Sequence, residues 1–453
     1  MAGRRWSRRS GPRHLGRGRS GIACRGLQCG AGESGRASGR AVRGLADAAV
    51  TTTVEVRPWR LATLAGMASY LDAGTIIAVS AALTHWRSTF GMSSWQVGFL
   101  SATLTVCIGI GAIVGGRIGD RHGRKRVYAA DLMIYGFGLL WLVCAGHPAM
   151  LFVGVSIVGL AIGADVPAAL ALVGENAPVG SRGRLVTFTQ FLWALGPLVV
   201  VLLELAGTPL GHQLPRAIFA HLLVLALLTW LLRRRMVESL RWRPSRSTPR
   251  ELFTPTLRRG TLVILLFYAT LTIGTNFYGS FGLYALEQIG GLGASGALAA
   301  SLIPIPLIVL TVLAMLPAMD TSARRPLFMV GAVVQILSWL SLLVLPVHAA
   351  TLIAALTAYG IGNTVAGEAH YKLWCQENFP TRVRSTAIGL SFGLARMASA
   401  ATLVFIPSLL HRGFATLVAL MVVLTIASAA LGLAVRTRGA SESIEDIDAR
   451  LTP

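Results

Sequence analysis

Gly115-Gly116-Arg117-Ile118-Gly119-Asp120-Arg121-His122-Gly123-Arg124-Lys125-Arg126 is a polar knot set between two long apolar runs. Gly111, Gly115 and Gly119 recur every four residues, a spacing that lets the end of a membrane helix approach a neighbour closely. Asp120 falls at the helix end, where a carboxylate can pair with a basic side chain or with the positive N-terminus of a facing helix. Gly123 permits a tight turn. Arg124, Lys125 and Arg126 follow at once, a basic cluster of the kind retained on the cytoplasmic side of a membrane.

Outward from the knot, apolar runs occupy 61–83, 95–116, 127–146, 149–173, 186–206, 217–232, 261–286, 294–319, 327–346, 349–373, 387–410 and 416–435. Each reaches or approaches the roughly 20 residues that cross a bilayer core. With 54% hydrophobic and 13% charged residues in 453, the pattern predicts an all-α membrane protein of twelve transmembrane helices, with the lipid bilayer as its surroundings. A net charge of +22 would suggest nucleic acid in a soluble chain, but these arginines lie in a leading tail and in loops, so no nucleic-acid partner is expected. The five cysteines (Cys24, Cys29, Cys107, Cys144, Cys375) have neither disulfide nor metal spacing. Residues 1–53, rich in Arg, Gly and Ser and without the apolar stretch of a secretory signal, read as a disordered, dispensable tail from upstream of the true start.

Orientation follows from the loops. Those after the even-numbered spans hold twenty Lys and Arg against three in the others (Arg87, Arg216, Arg412), which predicts both termini in the cytoplasm of a plasma-membrane protein. The longest basic loop, 233–260, contains Pro244, Pro249 and Pro255 and reads as a linker between six-helix bundles at 54–232 and 261–438, with an acidic tail at 439–453. An internal repeat supports that division. Glu175-Asn176-Ala177-Pro178 with Arg182 and Arg184 returns as Glu377-Asn378-Phe379-Pro380 with Arg382 and Arg384, 202 residues on; Asp120 with Arg124 and Lys125 returns, more faintly, as Asp320 with Arg324 and Arg325, 200 residues on.

The knot resembles the loop between the second and third helices of the major facilitator superfamily, written G-x-L-x-D-R-x-G-R-(R/K), and the resemblance extends over residues 55–438. It implies two bundles around a midplane cavity that open it to either side in turn. It also implies that Asp120, Arg121, Arg124, Glu175, Arg182, Arg184, Asp320, Arg324, Glu377, Arg382 and Arg384 form cytoplasmic gating bonds between the bundles.

An ionisable group at bilayer depth costs about 2.5–3.5 kcal/mol to insert, so each one is a functional candidate. Asp72 lies mid-run in Tyr70-Leu71-Asp72-Ala73-Gly74-Thr75, where a carboxylate could exchange a proton as water reaches it from either side; the competing reading is a hydrogen-bonded structural carboxylate. Its position resembles the first-helix aspartate of sugar and metabolite proton symporters. Asp165, in Gly163-Ala164-Asp165-Val166-Pro167, resembles a fourth-helix aspartate that in such symporters faces the central cavity. Asp72 and Asp165 are thus the proton-coupling candidates. Sugar porters pair the first-helix acid with an arginine early in the fourth span; the matching position is Val155, so that scheme is not carried over.

Substrate-binding candidates are Gln190, Asn276, Tyr278, Glu368, Lys372 and Arg396. Glu368 and Lys372 stand four apart and could instead neutralise each other; Arg396 could bind a carboxylate bidentately or pair with Glu368. Asn276 and Tyr278 resemble the polar seventh-helix segment of sugar porters, although Thr270 and Leu271 replace its paired glutamines. Trp193 and Trp339 are further cavity candidates, with a lipid-facing position or core packing the alternative.

The predicted function is a secondary active transporter, a monomer that uses protons to take up a small-molecule substrate: a sugar, polyol or organic acid. Proton-antiport efflux is the alternative, with Leu195-Gly196-Pro197 faintly resembling an exporter element. A membrane sensor ranks below both, because the tail after Arg438 is short. No cofactor, metal or enzymatic activity is expected, as neither a nucleotide loop nor a nucleophile elbow is present.

Overall fold

The computed structural model describes residues 58–234, 242, 244, 248–410, 413–437 and 442–451, without the side chains of 280, 281, 294, 295 and 403–410. The tail at 1–53, with Cys24 and Cys29, lies outside the described residues, as does much of the 233–260 linker.

Twelve long helical segments follow one another. In the N-terminal half they are α1 (Pro58–Phe90), α2 (Ser94–His122), α3 (Arg124–Val143), α4 (Pro148–Asn176), α5 (Arg182–Ala206) and α6 (Leu214–Arg233). In the C-terminal half, α7 (Arg258–Tyr284) comes first. Next is α8, in two pieces (Gly293–Ser301, Pro304–Met315) with a 3-10 turn at Leu316–Asp320, then α9 (Arg324–Val344). After it come α10, broken into Ala349–Ala366 and Glu368–Asn378, α11 (Arg384–Leu410) and α12 (Phe414–Ala434). Eleven of these are long and apolar enough to cross a membrane, and α11 is the remaining segment. A short helix, α13 (Ile444–Leu451), ends the chain. No strand occurs among the described residues.

Local chemistry sets the boundaries. A capping box starts α2, with Gln96 N donating to Ser93 Oγ at 3.2 Å and Ser93 N to Gln96 Oε1 at 2.9 Å. Pro148 opens α4, where its missing N–H would have had no helical partner. Gly123, at φ +107°, makes the turn between α2 and α3 that the knot predicts.

Helix contact depends on the glycines. A Cβ on Gly111 or Gly115 would run into the α4 backbone at Leu160 or Ala164, and one on Gly116 into the Ser385 carbonyl of α11. Gly119, by contrast, has ordinary clearance, its nearest neighbour being Ser385 Cβ at 3.6 Å. The four-residue stripe therefore corrects to Gly111 and Gly115 against α4, while Gly116, one position on, serves the other bundle.

Within the first half α2 packs on α4, α1 on α5, and α3 on α4 and α6; within the second, α9 packs on α10 and α12, and α7 on α11 and α12. The halves meet where α2 lies along α11 and α5 along α8. The two contacts correspond under the repeat, because α8 is the counterpart of α2 and α11 that of α5. Trp339 belongs to the core of the second half, packed edge-on against Phe277 and tilted against Tyr359, which is the packing alternative rather than a cavity role.

Candidate functional site

Two polar layers join the halves, and a third lies inside the first half. The first layer is at the basic end, where the knot sits. Asp120 ends α2 and accepts from Ser385 N at 3.2 Å and Thr386 N at 2.7 Å, the first turn of α11. Those N–H groups have no helical partner, and a carboxylate satisfies them with favourable charge. Asp320, after α8, does the same for α5, accepting from Gly183 N at 2.6 Å and Arg184 N at 2.9 Å. The faint repeat between Asp120 and Asp320 is therefore a repeat of one bond: each carboxylate caps a helix of the opposite half.

Arg124 gathers the layer together. It pairs with Asp120 at 3.2 Å and with Glu175, and donates to the Thr381 carbonyl at 2.7 Å. Glu175 also reaches Arg384 across the halves at 3.0 Å. The repeat partner Glu377 behaves differently: it binds Arg324 at 2.6 and 3.2 Å within the second half. Arg184 meets Asp320 at 3.7 Å, Arg382 meets Glu251 at 3.6 Å, and Arg182 donates to the Glu442 carbonyl at 3.4 Å. Arg121 is exposed. The tail contributes too, with Asp448 of α13 accepting from Thr381 N at 2.7 Å.

The second layer is central. From Ser385 to Arg396 along α11 is about 16 Å at about 1.5 Å per residue. There Arg396 meets Asp72 of α1 at 3.5 Å, and Lys372 of α10 donates to Gln190 Oε1 of α5 at 2.8 Å while pairing with Glu368 at 3.2 Å. Both Asp72–Arg396 and Lys372–Gln190 span the two halves. Glu368 owes its place to the break at Gly367: it opens a new helix piece, where its charge meets a positive helix end. Two acids and two bases make the cluster neutral.

Aromatic rings line it. Tyr268 of α7 stacks on Tyr371 with ring centroids 3.7 Å apart, and the Arg396 guanidinium lies 4.9 Å from the Phe392 ring centre. Trp193 stands beside the Asp72 carboxylate. Asp72 Oδ1, Arg396 Nε and Trp193 Nε1 are buried and incompletely bonded among the described residues, the Trp193 N–H making at most a weak bond to the Asp72 carboxylate. Buried polar atoms are ordinarily satisfied, so these three have bonding capacity left over.

Not every candidate reaches this cluster. Asn276 is bonded to Ser399, one turn beyond Arg396 on α11, and so borders it. Tyr278 turns into the second half and packs on Tyr359 at 5.0 Å. Asp165, expected at the central cavity, is corrected: it faces α3 and α6 inside the first half, where both its oxygens lie 3.0 Å from Arg233 Nη1.

Arg233 is itself a correction to the linker boundary, being the buried last residue of α6. It donates to the Leu64 carbonyl of α1 at 2.9 Å and covers the Tyr128 ring at 3.6 Å. The buried face Leu222, Ala226, Thr229, Arg233 follows helical periodicity and was the signal for it. Tyr268 and Asp131 were missed as well. Asp131, 4% exposed in the third span, met the same insertion-cost criterion that singled out Asp72.

A twelve-helix membrane protein built from two repeated halves, with a buried charged cluster between them, has the architecture of a transporter. Residues 62–403 match the Major Facilitator Superfamily. The chain is 32% identical over 411 residues, covering 85% of it and 92% of the relative, to the minor myo-inositol transporter IolF of Bacillus subtilis (strain 168). The fold is similar to that of the proton:xylose symporter XylE (TM-score 0.74, 18% identity, 86% of this chain and 98% of that one). It is also similar to that of FucP in its outward conformation (TM-score 0.69, 14% identity, 85% and 100%). The chain belongs to the major facilitator superfamily and is a sugar or metabolite transporter.

Proposed function

We propose that the chain is a proton symporter that takes up a small polar metabolite, with polyols favoured among sugars, polyols and organic acids, and that both termini face the cytoplasm. The carrying observation is the Asp72–Arg396 pair, which joins the halves at their centre. A proton on Asp72 leaves Arg396 without its counter-charge and loosens that joint, so proton binding and movement of the halves become one event. Asp72 is then the central coupling carboxylate.

Substrate recognition falls to Gln190, Glu368, Lys372 and Arg396, with Asn276 at the border. The incompletely bonded atoms offer one acceptor (Asp72 Oδ1) and two donors (Arg396 Nε, Trp193 Nε1), a set that neighbouring hydroxyls complete, since each hydroxyl both donates and accepts. The cluster is already neutral, which favours a neutral ligand over an anion. The polyol named for the Bacillus relative supports the same class. The helix-capping carboxylates Asp120 and Asp320, with Arg124, Glu175 and Arg384, act as the gate: their bonds hold the basic end shut and release as the halves rock.

The test is concentrative uptake of labelled myo-inositol into proteoliposomes under an imposed pH gradient. Uptake should collapse with the gradient and in Asp72→Asn. Accumulation that survives both changes would refute the coupling.

A further inference from the structure

Besides the central cluster, the first half contains a second buried charged group whose charges do not balance. Asp131 of α3, Asp165 of α4 and Arg233 of α6 are 4%, 4% and 1% exposed, and the three lie close enough for their charges to act on one another. Arg233 is committed to Asp165, with one nitrogen 3.0 Å from both oxygens. Its remaining bonds go to backbone carbonyls, of Leu64 at 2.9 and 3.2 Å and of Tyr128 at 3.5 Å.

Asp131 has no such partner. Its Oδ1 accepts from Leu132 N at 2.6 Å, and the carboxyl group also faces the Asp165 carboxyl closely enough to share a hydrogen bond with it. Asp131 and Asp165 border a cavity of about 10 Å³, otherwise lined by Ala68, Leu71, Leu132, Tyr135, Ala161 and Ile162. That is the lower limit for a single water, and far short of the six or so oxygen ligands a hard cation collects. The other ionisable groups facing it are both on α3. Tyr128 lies under the Arg233 guanidinium, and the Tyr135 hydroxyl is bonded to Thr75 Oγ1 at 2.7 Å. Neither brings positive charge, and α1 presents only Ala68 and Leu71 to the cavity.

Two carboxylates against one guanidinium leave a net charge of −1 enclosed by apolar walls, an arrangement strongly disfavoured inside a bilayer. We propose that Asp131, Asp165 and Arg233 form a proton-binding centre of the first half, separate from the central cluster, with the proton carried on Asp131 while the basic end is closed. One added proton balances the charges, and the Asp131 carboxyl beside Asp165 is placed to take it, since two carboxylates can bond to each other only through a proton. The centre borders the pathway through α1: Leu71 lines its cavity and Asp72 is the next residue in the chain. Through Leu64, Arg233 also anchors that same helix. Protonation is thus read by the helix that carries the central acid, which deepens the proton-coupling reading without depending on it.

Infrared difference spectroscopy of the purified full chain, with deuterium exchange to identify carboxyl bands, tests this without any transport step. At neutral pH the wild type should show a protonated carboxyl that Asp131→Asn removes. Asp165→Asn should remove it too, because Arg233 then balances the one remaining acid. Asp131→Glu should keep a shifted band, and Asp72→Asn should leave the band in place even if uptake is lost. A wild type with no protonated carboxyl, or a band that persists in both Asp131→Asn and Asp165→Asn, would overturn the proposal.

Discussion

Replacing Asp120 by Asn should unlatch the basic end while leaving the choice of substrate untouched. The carboxylate accepts from Ser385 N, Thr386 N and Arg124 Nη2, the last at 3.2 Å. Asparagine keeps one acceptor oxygen and turns an NH₂ group toward a backbone N–H or a guanidinium. The change removes at least one charge-assisted bond, worth about 1.5–3 kcal/mol, and the attraction of a negative charge for a helix N-terminus, up to about 2 kcal/mol when partly buried. These two quantities overlap, so about 2 kcal/mol is the working figure.

That loss falls on the closed basic end, because Ser385 and Asp120 belong to different halves. Since about 1.4 kcal/mol is tenfold, the closed-to-open ratio should fall about 30-fold, and an open population of about 1% would become about a quarter. Spin labels at Arg126→Cys and Arg325→Cys, both exposed at that end, would report the population by electron–electron distance in a background freed of native cysteines. Turnover should slow, since the carrier must close this end to reload from the other. An Asp120→Asn protein with a wild-type distance distribution, or with altered specificity at a normal rate, would refute the reasoning.

Asp320→Asn should shift the same distances by a similar factor, because Asp320 makes the corresponding pair of bonds to Gly183 and Arg184; a shift confined to Asp120→Asn would mean the repeat is not functional at this end. Gly115→Val and Gly116→Val should separate folding from closing. The first drives a side chain into the Ala164 backbone of its own half and should lower folded yield, whereas the second meets Ser385 of the other half and should raise the open population in a protein of near-normal yield. Arg233→Gln removes the partner of a buried carboxylate, a loss of about 3–5 kcal/mol, and should markedly lower the thermal unfolding midpoint in detergent. An unchanged midpoint would show that Arg233 does not hold α1, α3, α4 and α6 together.

Much of the fold was legible because lipid imposes simple rules. Apolar length marked the spans, and the Glu-Asn-x-Pro and Asp-Arg repeats marked the two halves. The central candidates were legible for the same reason: Asp72, Glu368, Lys372 and Arg396 stood out as charges in apolar runs. Partnership was another matter. Arg396 could as well have met Glu368, and Val155 leaves Asp72 without the fourth-span arginine of sugar porters, yet Asp72 finds an arginine on α11, 324 positions away. Arg233 was hidden because it begins a run of basic residues that reads as loop. Asp165 carried a motif that pointed to the cavity, but the rotation of α4 points it at α6 instead.

By itself, the sequence determined what must be buried and what must be paired: twelve helices, two repeats, and a short list of charges that the bilayer will not tolerate alone. Hydrophobic length and charge are local properties, and they can be read along the chain. Which acid meets which base was decided only by the tertiary structure. Helix rotation and the close approach of α2 to α11 and α5 to α8 bring together residues hundreds of positions apart, and a few degrees of rotation exchange one partner for another. That is why Asp120 was recognisable from its motif as a helix-end carboxylate, while the two N–H groups it caps became known only once the halves were seen together.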